Sequence, residues 1–368
     1  MGTVLPGLAP HVRHDLGGSD QTVGLVIGTF SFVALISRFV SGPLADRRGR
    51  KLAFQIGLVS CSVSGIAYIL PIGIAGPFLG RMFQGFGEAC LYTGAAAWVV
   101  ELGGIERGSQ ALGYLSSGIW GGISAGPVVG HWLGTFERAA MLQTVLALAA
   151  FTLLFFIPEQ YQPEPDPPKR RWIPKSLISP GIAIGFVNVH YPVVAGFLIL
   201  HLSQYGTAGP ASFSAYAFLV LLSRFFLGGL PDHVHPSITY FGGIGCMAVG
   251  LVIIASGPGP LVAVLATGLL GFGFSFPWAS IAATVLKRTP AREHGSVVSV
   301  LSAFYDLFVG LSSFAAGAVA NRFGYAAAFY MAAISLIAAA IAGRTVFPEN
   351  ETVEPVELAM AESDAQIP

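Results

Sequence analysis

The 368-residue chain is 54% hydrophobic, only 10% charged and of zero formal net charge, with a mean hydropathy of +0.69. An average soluble domain carries about 25% charged residues, so a single soluble core is excluded and the chain reads as a membrane protein. Its apolar runs are too long for barrel strands and show no two-residue alternation, which leaves helices as the spanning elements.

A spanning helix needs roughly 20 mostly apolar residues. In chain order such runs predict helices over 22–41, 51–72, 76–100, 109–134, 138–157, 177–202, 211–230, 237–256, 259–286, 295–320 and 325–346. Between the fifth and sixth lies a segment dense in proline, Pro158 to Pro174, that carries Lys169, Arg170 and Arg171 and reads as a cytoplasmic linker. The division is therefore an N-terminal helical bundle over 1–157, a linker over 158–174, a C-terminal bundle over 175–346 and a cytoplasmic tail over 347–368. With the turn at Asp46 placed inside, thirteen Lys and Arg residues fall inside and three outside, which orients the chain by the positive-inside rule. Cys61, Cys90 and Cys246 lie in apolar runs without paired spacing, so no disulfide framework or metal knuckle is indicated.

The halves repeat. Leu35 to Asp46 recurs as Leu221 to Asp232, at an offset of 186 with seven identities in twelve, including Ser-Arg-Phe and the final Asp. The same offset carries Gly85-Phe86-Gly87 onto Gly271-Phe272-Gly273. Two homologous bundles in parallel orientation follow. Pro192 and Leu202 then align with Pro6 and Leu16, which makes Met1 to Pro10 the outer end of a first helix whose inner part would precede residue 1. The expectation is eleven full spans plus a truncated first helix.

Several residues stand out against this background. The turn Gly42-Pro43-Leu44-Ala45-Asp46-Arg47-Arg48-Gly49-Arg50-Lys51 packs five charges between two spans, and its glycines permit a close turn. Its second-half copy, Asp232-His233-Val234-His235-Pro236, lacks the arginines and reads as loop rather than metal site. Arg81, Glu88 and Asp306 lie within spans, where an ionisable group is costly and marks a cavity, a partner or a proton path. Arg38 and Arg224 lie near inner helix ends, where snorkelling or helix-end pairing is expected. Asn188, His190 and Tyr191, with Tyr305 in a later span, fall at mid-helix positions expected to line a substrate cavity between the bundles, although a lone buried histidine is more often structural.

Three ordered signatures and the duplication resemble the major facilitator superfamily over essentially the whole chain. The spacing G-x-L-x-D-R-x-G-R-K at 42–51 is similar to that family's loop between its second and third helices; the resemblance implies a charge cluster of Asp46, Arg50 and Glu101. Arg81-Met82-Phe83-Gln84-Gly85 resembles the fourth-helix signature whose arginine is associated with proton transfer. Gly113, Gly122, Gly126-Pro127 and Gly130 resemble the fifth-helix signature associated with antiporters. Within the superfamily, the chain looks like bacterial sugar or arabinose efflux and drug-resistance permeases. The resemblance implies an all-α fold of two six-helix bundles and a monomer in the bacterial inner membrane that exports a small molecule against protons by alternating access. No cofactor, metal or nucleic-acid partner is expected. The alternatives are an uptake symporter or facilitator and, from another class, a non-transporting receptor or assembly factor. No nucleophile and base set marks an enzyme.

Overall fold

In a computed structural model, residues 1–157, 174–206, 209–227, 230, 234–289 and 294–347 are described; the side chains of Asp46, Thr93, Ala96, Ala97, His131, 294–296 and most of 100–120 lie outside that description. Most of the described residues are helical, with no strand among them. Helix α1 is Leu5–Pro10, continued by a π-helical turn over His11–Asp15, and α2 is Asp20–Arg48. There follow α3 (Arg50–Ile69), a long helical run α4 (Ala75–Leu133) and α5 (Phe136–Leu154). The second half holds α6 (Ile178–Asn188), α7 (His190–Ser203), α8 (Gly209–Leu227), α9 (Pro236–Ala255), α10 (Pro260–Lys287), α11 (His294–Phe323) and α12 (Tyr325–Val346).

Nine spans among the described residues are long and apolar enough to cross a membrane, with Lys175–Ser203 counted as one. The run α4 is outside that set and contains both expected helices 76–100 and 109–134. It doubles back on itself. A Cβ at Gly80 would meet the Tyr68 ring, and that ring also packs edge-on against Phe136, 5.8 Å away. A straight helix from Gly80 to Leu133 would separate those ends by about 80 Å.

Local chemistry explains the other corners. Only Gly49 separates α2 from α3, and its φ of 109° is one that an L side chain rarely adopts. The break between α6 and α7 falls at Val189, one turn before Pro192. Proline lacks the N–H that would bond to the carbonyl of Asn188 and its ring crowds that carbonyl.

Small residues set the helix contacts. Gly57 and Gly87 face each other between α3 and α4, and Gly243 faces Gly273 between α9 and α10. A Cβ at Gly271 would fall on the backbone carbonyl of Tyr216 in α8, and backbone atoms cannot yield as a flexible side chain does. Gly271→Ala is expected to lower stability by about 1–3 kcal/mol, read as earlier SDS-induced unfolding in mixed micelles. Unchanged unfolding would show that α8 and α10 part at no cost.

Candidate functional site

The two halves meet along α2 and α11, which cross antiparallel. Gly24 lies against Ser313 and Gly317, Gly28 against Gly310 and Ser313, and Phe32 against Gly310. Continuing that register brings Arg38 to Asp306, and Arg38 Nε donates to Asp306 Oδ2 at 2.6 Å. A second carboxylate completes the cluster: Arg38 Nη2 is 3.8 Å from Glu88 Oε2, with the guanidinium 5.7 Å from the Tyr92 ring centre.

Arg38 therefore does not snorkel. A helical side chain leans toward its helix N-terminus, which for α2 is the Asp20 end, away from the charged turn. That lean carries the guanidinium toward the acids on α4 and α11. Asp306 stands about 25 Å along α11 from Phe323, and Arg38 about 27 Å along α2 from Asp20, at 1.5 Å per residue. Both positions fall in the middle third of their helices.

The acids are held unequally. Asp306 is 3% exposed and takes a direct hydrogen bond. Glu88 sits at ion-pair distance only, and its buried Oε2 has no hydrogen-bond partner among the described residues. One guanidinium thus serves two carboxylates, firmly from one half and loosely from the other. The duplication sharpens the contrast: Arg224 is the counterpart of Arg38, and Phe274 occupies the position equivalent to Glu88. There the guanidinium lies 5.7 Å from the Phe274 ring centre.

Arg81 belongs to a separate buried network. Its Nη1 donates to Gln84 Oε1 at 2.7 Å, its Nη2 to the carbonyl of Ile27 at 3.2 Å, and its guanidinium lies 4.4 Å from the Phe30 ring centre. Tyr68 also donates to Gln84 Oε1, and Gln84 Nε2 donates to Gln143, which reaches the carbonyl of Cys61 and the hydroxyl of Ser64. At 5% exposure Arg81 is turned inside the bundle rather than to its rim. Gln84 and Gln143, two amides in apolar helices, were the sequence signal for this network.

His190 is fully buried with both ring nitrogens engaged: Nδ1 donates to the Val187 carbonyl at 2.7 Å and Nε2 accepts from Tyr216 at 3.0 Å. It closes the break before α7. Asn188 donates to the Ile184 carbonyl at 2.7 Å, and its buried Oδ1 has no partner among the described residues. Tyr191 and Tyr305 are partly buried against the core.

In the charged turn, Gly49 makes the corner, Arg47 is exposed and Lys51 donates to the Ile157 carbonyl at 2.6 Å. Gly42 has open space around it. The side chains of Asp46 and Glu101, and with them the expected cluster around Arg50, lie outside the described residues, as does Gly113. The rest of the fifth-helix glycine set meets the chain start: a Cβ at Gly2 would fall on the Gly122 carbonyl, one at Gly126 on the Gly2 backbone, and one at Gly130 would lie 2.5 Å from the Thr3 carbonyl. Pro127 is buried beside them.

Comparison with known proteins places this arrangement. The family model described as Major Facilitator Superfamily matches residues 1–210 and again 181–366, one match for each half. An uncharacterized MFS-type transporter of Salmonella typhimurium is 24% identical over 364 residues, covering 93% of this chain and 91% of that protein. The uncharacterized MFS-type transporter YhhS of Escherichia coli is 28% identical over 358 residues, covering 92% and 85%. Among solved structures, a mutant of nucleoside transporter NupG superposes with a TM-score of 0.79 at 12% identity, covering 94% of this chain and 95% of that one. A D-xylose-proton symporter superposes with a TM-score of 0.78 at 14% identity, covering 94% of each. The duplicated all-helical bundle, the charged turn and these matches together make the chain a member of the Major Facilitator Superfamily of membrane transporters.

Proposed function

We propose that the protein is a proton-coupled exporter of a small molecule, and that Glu88 carries the coupling proton while Asp306 and Arg38 tie the two halves together. The observation that carries this reading is the sharing of one guanidinium between two carboxylates from opposite halves. A charge fixed in a membrane interior is costly unless paired. When both acids are ionised, the cluster has one more carboxylate than Arg38 compensates, and a proton on Glu88 removes the excess. Movement of the halves changes the distance from Arg38 to each acid and so changes which protonation state is favoured. That dependence is what proton coupling requires.

The export direction rests on the resemblance of Gly122, Gly126, Pro127 and Gly130 to the antiporter signature, and the tight contact of that stretch with Gly2 and Thr3 suits a helix that limits leakage. The positive-inside count puts the charged turn, linker and tail in the cytoplasm. The D-xylose-proton symporter shares the fold, so proton-driven uptake is the outcome to test against. Proteoliposomes carrying a pH-sensitive dye inside are the assay. Under an imposed pH gradient, sugars and amphipathic drugs are screened for compounds that accelerate dissipation. An exported substrate moves opposite to the proton and an imported one moves with it; a compound that crosses without any proton movement overturns the coupled reading.

A further inference from the structure

At the end of the bundle away from the charged turn, a second set of bonds joins the halves. Asp20, in the first turn of α2, accepts two hydrogen bonds on Oδ1: one from Arg13 Nε at 3.0 Å and one from the Tyr325 hydroxyl at 3.0 Å. Arg13 belongs to the same half as Asp20 and also donates to the Gly18 carbonyl at 3.3 Å. Tyr325 belongs to the other half. It is the first residue of α12, follows Gly324 at φ 84°, and stacks on Phe197 of α7 with ring centres 5.8 Å apart.

One helical turn deeper, the seal is backbone against backbone. A Cβ at Gly24 would lie 2.5 Å from the Ser313 carbonyl oxygen and 2.7 Å from the Gly317 Cα. This end is therefore closed. Opening it requires α2 to leave α11 and α12, which breaks the Asp20–Tyr325 bond while Asp20 keeps Arg13. The same three side chains wall a cavity of about 300 Å³ together with His201, Gln204 and Tyr205.

We propose that Asp20 is a positioning residue of the transport cycle, latching this end shut through Tyr325. Arg13 rides with Asp20 and keeps its carboxylate aimed across the seam, so the latch re-forms each time the halves approach. A hydrogen bond to a charged group biases such an equilibrium by about tenfold or more, and water in the adjoining cavity keeps the bias near the lower figure. The latch requires neither proton coupling nor a particular membrane orientation.

The test reads opening of this end directly. Val23, 1% exposed and next to Gly24, is changed to cysteine in protein with Cys61, Cys90 and Cys246 replaced by alanine. Its labelling by a water-soluble maleimide is timed in detergent. Tyr325→Phe, which keeps the ring on Phe197, is expected to speed labelling about tenfold. Tyr330→Phe, an exposed tyrosine on the same helix, should leave the rate unchanged. Asp20→Ala should speed labelling as much as Asp20→Ala combined with Tyr325→Phe, since each breaks the one bond. An unchanged rate in Tyr325→Phe overturns the latch, as does equal acceleration by Tyr330→Phe. Should Tyr325→Phe not fold, Asp20→Ala alone carries the test, because it removes the acceptor that an asparagine would keep: faster labelling supports the latch and an unchanged rate overturns it.

Discussion

Glu88→Gln is expected to reduce substrate flux driven by a pH gradient at least tenfold while leaving substrate exchange and folded yield close to those of the parent protein. The carboxylate is held at 3.8 Å from Arg38, and its Oε2 has no hydrogen-bond partner among the described residues, so an amide of the same shape forfeits little packing and no strong bond. What it does lose is the site where a proton can come and go. Exchange moves substrate in both directions without net proton movement and does not use that site. Asp306→Asn should behave differently, because it weakens the 2.6 Å bond that Arg38 makes across the halves. Folded yield and exchange should fall together with gradient-driven flux. If Glu88→Gln retains full gradient-driven flux, Glu88 is not the proton carrier, and the Arg81 network becomes the next place to look.

Much of this was legible in the sequence because the signals were local. The corner at Gly49 and the apolar run lengths act within a few residues, and the helices follow the runs in order, although α2 continues to Arg48, through most of the stretch expected to turn, and the runs 76–100 and 109–134 join in α4. The 186-residue repeat also pairs Arg38 with Arg224, and the structure shows both guanidinium groups beside position-equivalent partners, Glu88 and Phe274. The break before α7 was implicit in Pro192, though the run 177–202 reads as one uninterrupted span.

What the sequence did not disclose was pairing between distant positions. Arg38 and Asp306 are 268 residues apart, and no local pattern records the crossing of α2 with α11. Counting residues from the helix end placed Arg38 near the rim and suggested snorkelling or helix-end pairing. The count ignored the lean of a helical side chain toward its N-terminus and the presence of two acids on the side it leans toward. Asp20 and Tyr325 were missed for the same reason: each is an ordinary helix-start residue until the opposite half is brought against it.

Arg38→Met should be the most disruptive single change in the cluster. Asp306 and Glu88 would then face each other without a cation in the interior of the helical bundle, and removing one partner of a buried ion pair costs about 3–5 kcal/mol. The loss comes chiefly from the uncompensated carboxylates, since the attraction in the intact pair is largely offset by the cost of taking its charges out of water. A second substitution that removes the more buried acid should therefore restore stability. Arg38→Met combined with Asp306→Asn is expected to recover more than half of the loss, leaving a coupling energy of about 2 kcal/mol between the two positions, well above the few tenths found for independent sites. SDS-induced unfolding of purified protein in mixed micelles measures all four members of the cycle. If the double variant is no more stable than Arg38→Met alone, unpaired charge is not the origin of the loss; Arg38 would then act mainly through packing at the seam between α2, α4 and α11, and the case for a proton-sensitive cluster there would fail.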